Sequence, residues 1–491
     1  MSEQSSESPS GVDADPAGLA ERFAGLAERL AAHGQQHVLR FWDQLDAAGR
    51  DSLARQLAEV DLELLDQLVR GEDQSVDFGV LAARAEAPPS VRADGTGAEW
   101  SVAEARARGE ESLRRGEVAV LIVAGGQGTR LGFDQPKGMF PVGPLSGRTL
   151  FQFFADRLKA VARRYGRTVP LYLMTSPATH EETLAYLQAN DYLGLGRDDV
   201  HVFCQGTMPA VDRESGKLLL AERDSLALSP DGHGGTVAAL QRSGALEAMR
   251  RRGIRQLFYA QVDNPLVPLA DPELIGHHLM AGSEMTTQVV RKRFPMEKVG
   301  NVVLVDGRVQ IIEYSDLPEQ AAEMTDEAGN LKLWAGNIAV HVFELEFLAR
   351  AADDPQRLPF HRATKKVPYV DERGQRVEPE EPNATKFERF IFDLLPSASH
   401  AFVVEGIPAE VFAPVKNADG APTDTPAAAK GAIVDLHRRW LEQAGVNVAA
   451  GVQVEINSQL ALDAGEVASA VAEGRLPAAG TTIESDQYFG G

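Results

Sequence analysis

Leu121-Ile122-Val123-Ala124-Gly125-Gly126-Gln127-Gly128-Thr129-Arg130-Leu131-Gly132-Phe133-Asp134-Gln135-Pro136-Lys137 is the stretch whose reading decides the fold. The apolar run Val118–Val123 has the length and β-branched content of a buried strand, and it leads directly into a glycine-rich turn. In open α/β sheets, ligands bind beyond the carboxyl ends of the strands. Gly125, Gly126 and Gly128 carry no side chains, so backbone N–H groups there can approach phosphate oxygens. Thr129 adds a hydroxyl, and Arg130 and Lys137 supply the positive charge that a triphosphate requires. Spacing excludes two commoner loops. The phosphate loop of many nucleotide triphosphatases ends in Gly-Lys-Ser or Gly-Lys-Thr, whereas the nearby lysine here is in Pro136-Lys137-Gly138. A Gly-x-Gly-x-x-Gly fingerprint begun at Gly126 needs glycine at position 131, where Leu131 stands; Gly132 comes one place late.

Outward from this loop, further strand-like runs appear at Val169–Met174, Val200–Phe203, Gln256–Val262, Thr287–Val290 and Val302–Val305. Helical patterns at Thr149–Tyr165 and Glu181–Asn190 lie between them. Such alternation predicts an α/β fold with a doubly wound, mostly parallel sheet. Asp306-Gly307 between two apolar runs predicts a hairpin at its antiparallel edge. Towards the N-terminus, Leu19, Phe23, Leu26 and Leu30 recur at helical spacing, as do Leu53, Leu57, Val60 and Leu64, with Asp51 as the expected N-cap. A charged helix is expected over about 101–115, ending near Gly116. Residues 1–15 read as a disordered polar tail, 16–115 as a helical region and 116–399 as the catalytic domain. Residues 400–491 read as a small C-terminal domain and tail, with a helix over Ala432–Gln443.

Composition limits the partners. Acidic residues outnumber basic ones, 71 to 49, across 491 residues, for a net charge of −22. That balance argues against nucleic acid and anionic membranes, which need a basic footprint. The N-terminus has no leader pattern, and no apolar run approaches membrane-spanning length. The single cysteine, Cys204, reads as a buried inert thiol and fits a reducing, cytoplasmic setting. His277 and His278 read as surface or packing residues on a helix.

Gly-Gly-Gln-Gly-Thr-Arg-Leu followed by Pro136-Lys137 resembles the signature of nucleotidyltransferases that activate sugars, and above all the eukaryotic-type UDP-N-acetylhexosamine pyrophosphorylases. The resemblance spans about 115–420 closely, the N-terminus loosely and the tail in pieces such as Val454-Glu455-Ile456-Asn457. It implies a nucleotide-diphospho-sugar transferase fold and in-line attack of a sugar 1-phosphate on the α-phosphorus of UTP, with release of pyrophosphate. Such chemistry needs positioning and charge neutralisation rather than a covalent nucleophile. Arg130, Lys137 and, in Pro414-Val415-Lys416-Asn417, Lys416 are implied at the phosphates. Asp263, in Gln261-Val262-Asp263-Asn264, is the implied Mg²⁺ ligand, a hard carboxylate at a strand's end. Gln205, with backbone around Gly126, would read uracil, since an amide matches the donor and acceptor edge of the base. Gly232 belongs to a second glycine turn at the nucleotide or sugar, and Gly300, Glu313 and Asn337 to the sugar site. His233 stands where the family pattern has asparagine and where the related UDP-glucose enzymes have Gly-His-Gly. The expected product is UDP-N-acetylglucosamine. UDP-glucose or a broad sugar range is the alternative raised by His233, and a catalytically silent UDP-sugar sensor is another. The sequence leaves the oligomeric state open.

Overall fold

The computed structural model describes residues 16–71, 78–354 and 357–490; the expected tail at 1–15 lies outside them. The chain forms two compact units. One gathers the N-terminal helices with Thr207–Gly232 and Phe360–Arg389; the other gathers Val76–Gly206, His233–Pro359 and Phe390–Gly491.

The second unit is built on a nine-stranded sheet. Its strands are β1 (Val118–Val123), β2 (Leu171–Thr175), β3 (Val200–Cys204), β4 (Gln256–Gln261), β5 (Met285–Arg291), β6 (Asn301–Val305), β7 (Arg308–Ile312), β8 (Ala335–Glu344) and β9 (Ala401–Glu405). Along one path the order is β7-β6-β8-β4-β1-β2-β3, and β5 lies between β8 and β9. Pairing is parallel from β4 through β1 and β2 to β3. The long β8 runs antiparallel to β4 and β5 and meets β6 near its start. β1 shows why the fold is doubly wound. Val118, Val120 and Ile122 pack among the helices Val102–Arg115, Leu150–Tyr165 and Pro272–Met280. Ala119 and Leu121 face the other way, toward Thr236–Arg242, Ala245–Arg251 and Leu345–Ala352. A strand buried on both faces reads as a continuous apolar run, which is how the sequence betrays it. Asp306 and Gly307, both at positive φ, close the β6–β7 hairpin.

Several expectations need correction. The helix Ala47–Glu59 is capped by Asp46, whose side chain accepts from Gly49 N–H at 2.8 Å, while Asp51 lies inside the helix and pairs with Arg55. The repeat through Val60 and Leu64 belongs to two helices, the second capped by Asp61. The boundary at 116 is misplaced. The helix Val102–Arg115 belongs with the sheet and packs on Pro272–Met280 so closely that a Cβ on Gly276 would stand 1.6 Å from the Ala105 carbonyl oxygen. The span 116–399 is also not one block, since Thr207–Gly232 and Phe360–Arg389 join the N-terminal helices around Leu53, Leu57, Leu65 and Phe387. Residue 400 is no boundary either, because β9 pairs in parallel with β5 inside the central sheet. The helix expected from Ala432 starts at Pro426, capped by Thr425. Cys204, at the end of β3, is half-buried rather than buried, whereas His277 and His278 are both buried in packing.

Candidate active site

The loop after β1 folds as a tight hairpin. Gly128 N–H donates to Gln135 O at 2.9 Å and Lys137 N–H to Gly126 O at 3.0 Å. The three glycines therefore have different reasons to be glycine. A Cβ on Gly125 would stand 2.6 Å from Gln205 Oε1, and one on Gly128 would meet the Phe133 ring and carbonyl at 2.7 Å. Only Gly126 opens onto space, with nothing within 4 Å of an added Cβ. Gly128 is thus corrected from a phosphate donor to a turn residue, because its N–H is already used by Gln135. Gln205 is 8% exposed and leaves β3 with its N–H on Thr175 O, which lays its amide against the Gly125 turn. Thr129 and Arg130 begin a short 3₁₀ turn and are exposed; Arg130 pairs with no carboxylate among the described residues.

Lys137 opens another 3₁₀ turn, Lys137–Met139. Its seat is the edge of the buried Phe151 ring: a Cβ on Gly138 would lie 2.1 Å from Phe151 Cζ. The Lys137 ammonium stands 3.7 Å from Asp263 Oδ2, both side chains being mostly shielded at 16% and 13% exposure. Asp263 follows β4, with Val262 N–H on Val123 O placing it beside the start of the glycine loop. The next residue, Asn264, is buried and clamps a distant segment. Its Nδ2 donates to Val411 O at 2.8 Å and its Oδ1 accepts from Ala413 N–H at 3.0 Å. Val415 N–H donates to Asp263 O at 2.8 Å, and Lys416 is delivered to the same place.

A cavity of about 180 Å³ collects His233, Asp263, Gly300, Glu313, Asn337 and Lys416, residues spread over more than 180 positions in the chain. Glu313 Oε1 leans over Gly300, where a Cβ would come within 2.9 Å of it. Asn337 sits at an irregularity in β8. Val289 faces Asn337 while Gln288 faces Val340, so Ile338 and Ala339 are extra residues, and Ala339 takes φ 56°. Such bulges re-aim side chains. Here Asn337 Oδ1 accepts from Ala339 N–H at 3.0 Å, and the residue lines the cavity. The His233 ring stacks on Phe390 at 5.3 Å, and its Nδ1 accepts from Ile391 N–H at 3.2 Å. A neutral ring so held carries its proton on Nε2.

Gly232 is not part of the cavity lining. Its glycine is required by the protein itself: φ is +81°, and a Cβ would meet the Arg389 carbonyl oxygen at 2.4 Å. The cavity also contains Gln261, Lys298, Phe392 and Phe412, which sequence reasoning did not select, and Tyr314 beside Glu313. Gln261 is visible only as the last residue of β4, and Lys298 was masked by the more distinctive Val299-Gly300. Asp424 was also missed. Its carbonyl accepts from Lys416 N–H at 2.7 Å and Asn417 N–H at 3.0 Å, fixing the lysine's loop from an unusual backbone conformation, φ 59°. Burial raises the Asp424 carboxyl's pKa, opposed by Lys416 and Arg293.

Among the described residues, no group of three or more His, Cys, Asp or Glu forms a metal cage. The Asp263 carboxylate, a hard oxygen donor, lines the cavity beside the Lys137 ammonium. No helix of the described residues is long and apolar enough to cross a membrane.

Residues 95–433 match the family described as UTP–glucose-1-phosphate uridylyltransferase. The human UDP-N-acetylhexosamine pyrophosphorylase-like protein 1 is 40% identical over 428 residues, 84% of either chain. The UDP-N-acetylglucosamine pyrophosphorylase of Saccharomyces cerevisiae is 35% identical over 444 residues, 87% of this chain and 93% of its own. Among solved structures, the uridine diphosphate N-acetylglucosamine pyrophosphorylase from Trypanosoma brucei, in complex with inhibitor, superposes with a TM-score of 0.77. It is 27% identical and covers 95% of this chain and 99% of its own.

Proposed function

Because the chain belongs to the UTP–glucose-1-phosphate uridylyltransferase family, we propose that it transfers the uridylyl group of UTP to N-acetylglucosamine 1-phosphate, giving UDP-N-acetylglucosamine and pyrophosphate. The single observation that carries this reading is the 180 Å³ cavity itself. It places sugar-type hydrogen-bonding groups, Glu313 and Asn337, in one space with Asp263 and Lys416, and Lys137 reaches Asp263 from the nucleotide loop.

In the proposed reaction a phosphate oxygen of the sugar 1-phosphate forms a bond to the α-phosphorus. The bridging bond between the α-phosphorus and the β-phosphate oxygen breaks, and its electrons leave with pyrophosphate. Arg130 and Lys137 neutralise the triphosphate and the leaving group, and Lys416 neutralises the phosphate at the sugar side. The amide of Gln205, laid against Gly125, reads the uracil edge, and the open backbone at Gly126 gives the nucleotide room. Asp263 would hold Mg²⁺, which would supply charge neutralisation to the phosphates. Glu313 accepts from sugar hydroxyls, and Asn337 Nδ2 donates to the sugar or its N-acetyl carbonyl. A cytoplasmic setting, where UTP and sugar phosphates are at hand, belongs to the same proposal.

A second reading keeps the mechanism and changes the sugar to glucose. His233 favours it, as an imidazole Nε2–H in the cavity wall where the N-acetylhexosamine pattern has asparagine. The test is pyrophosphate release with UTP and Mg²⁺, with N-acetylglucosamine 1-phosphate and glucose 1-phosphate run in parallel. Faster release with the acetylated sugar supports the proposal. Faster release with glucose 1-phosphate moves it to the second reading, and no release with either overturns both.

A further inference from the structure

The C-terminal part of the chain has its own apolar cluster, including Leu441, Val446, Val454, Val467 and Leu476. It is attached to the sheet's flanking helices by apolar packing, with Leu462 inside the main core cluster, and by polar contacts. Asp463 accepts from Arg164 at 2.9 Å and Arg106 at 3.0 Å. Asn457 and Gln459 each donate to the buried Asp156 at 2.9 Å. The Asp463 contacts would serve for docking alone, whereas Asp156 also pairs with Arg148 at 2.6 Å.

Glu455 does something different. It is 1% exposed, and its carboxylate is inserted into the tip of the loop Gly143–Gly147. Oε2 accepts from the N–H groups of Leu145 and Ser146, both at 2.8 Å, and Oε1 accepts from the Ser146 hydroxyl at 2.6 Å. A buried carboxylate is costly unless such charge-assisted bonds satisfy it, and they fix geometry as well as energy. The loop it grips is the tip of a hairpin-like excursion. At its stem, Val142 and Gly143 N–H donate to Arg148 O at 2.9 and 3.0 Å, and Leu150 N–H donates to Phe140 O at 3.1 Å. Phe140 N–H in turn donates to Lys137 O at 2.9 Å. Hydrogen bonds joined by short stretches of backbone therefore lead from the C-terminal carboxylate to the turn that bears Lys137.

We propose that Glu455 is a positioning residue: through the 143–147 loop it holds the Lys137 turn where the triphosphate needs it, so that the C-terminal subdomain takes part in turnover. The proposal rests on the reading of Lys137 given above. The experiment measures kcat, KM for UTP, KM for the sugar 1-phosphate and the thermal midpoint for Glu455→Gln, Ser146→Ala, Lys137→Met and the double variant Glu455→Gln/Lys137→Met. Asp463→Asn serves as a docking control. Glu455→Gln removes the negative charge and replaces the acceptor oxygen facing the Ser146 hydroxyl, or the one facing the two N–H groups, by an NH₂. It is expected to lower kcat/KM for UTP about tenfold or more while KM for the sugar 1-phosphate stays within twofold. Ser146→Ala, which removes one donor from the opposite side, shows a smaller loss of the same kind and carries the test should Glu455→Gln fail to fold. Asp463→Asn lowers the thermal midpoint with kcat within twofold of wild type. In the Lys137→Met background, Glu455→Gln costs nothing further. Full additivity of the two variants overturns the proposal, as does wild-type kinetics in a destabilised Glu455→Gln. Wild-type turnover in Lys137→Met alone removes the reading of Lys137, and with it the route by which Glu455 acts.

Discussion

Replacing Gly138 by alanine isolates the seat of Lys137. The backbone there is not at positive φ, so alanine brings no conformational strain, and the whole effect comes from contact. The new methyl would stand 2.1, 2.3 and 2.4 Å from Cζ, Cε2 and Cε1 of Phe151. Carbon pairs settle at about 3.5–4.0 Å, so turn and ring must separate by roughly 1.5 Å. The ring has nowhere to go: Phe151 is 1% exposed, in the first turn of the helix Leu150–Tyr165, within the main core cluster. The turn must move instead, and it carries Lys137. Overpacking of this kind costs about 1–3 kcal/mol of stability, while a displacement near 1 Å at a positioned group costs about 100-fold in rate. The expected outcome is kcat/KM for UTP down by about two orders of magnitude, with a thermal midpoint only a few degrees lower. Steady-state pyrophosphate release and thermal unfolding followed by circular dichroism measure the two. Wild-type kcat/KM in Gly138→Ala would refute the reasoning, and so would a loss fully accounted for by unfolded protein.

Gly126→Ala should behave in the opposite sense, leaving the thermal midpoint unchanged because nothing lies within 4 Å of the new Cβ, yet raising KM for UTP; unchanged KM in initial-rate assays would remove Gly126 from the nucleotide site. Lys137→Ala should lose most turnover, by about 10²-fold or more, and keep a native circular dichroism spectrum. Near-normal turnover would end its assignment. Asp263→Asn should raise the Mg²⁺ concentration needed for half-maximal activity, and an unchanged Mg²⁺ titration would count against Asp263 as the ligand. Burial lowers the His437 pKa from 6.5 to about 3. A depressed folded pKa means that the unfolded chain takes up a proton the folded chain refuses. The contribution is therefore fully present above pH 6.5 and is lost as pH falls toward 3. Between pH 7 and pH 5 the loss is about 2 kcal/mol. In urea unfolding, the stability gap between wild type and His437→Gln should narrow by about that amount at pH 5, and a constant gap would show that His437 is not buried neutral.

The residues of the candidate site could be picked out in the sequence where chemistry and chain order coincide. A strand running into Gly-Gly-Gln-Gly-Thr-Arg-Leu, a Pro-Lys after it and an acid at a strand's end are local patterns, and Lys137 and Asp263 indeed meet at 3.7 Å. Gly128 and Gly232 show the limit of that legibility. Glycine marks close approach, but only the fold says what approaches: the carbonyls of Gln135 and Phe133 in one case and of Arg389 in the other, rather than phosphate. Trp334 teaches the same lesson. Three residues before Asn337, it does not line the cavity; it is buried beneath Arg92, whose guanidinium lies 3.8 Å above its ring.

By itself the sequence determined the doubly wound sheet and the order of its chemical groups, because alternation of apolar runs and loop composition are local properties that burial imposes on each segment. Tertiary structure alone decided which distant segments share a space. Asn264 clamps the 411–413 strand of chain that delivers Lys416, the two extra residues in β8 adjoin Asn337 in the cavity wall, β9 crosses the expected boundary at 400 to pair with β5, and Glu455 grips a loop more than 300 positions away. Each depends on a hydrogen bond or a register between residues that no local pattern links, and such contacts exist only once the chain has folded.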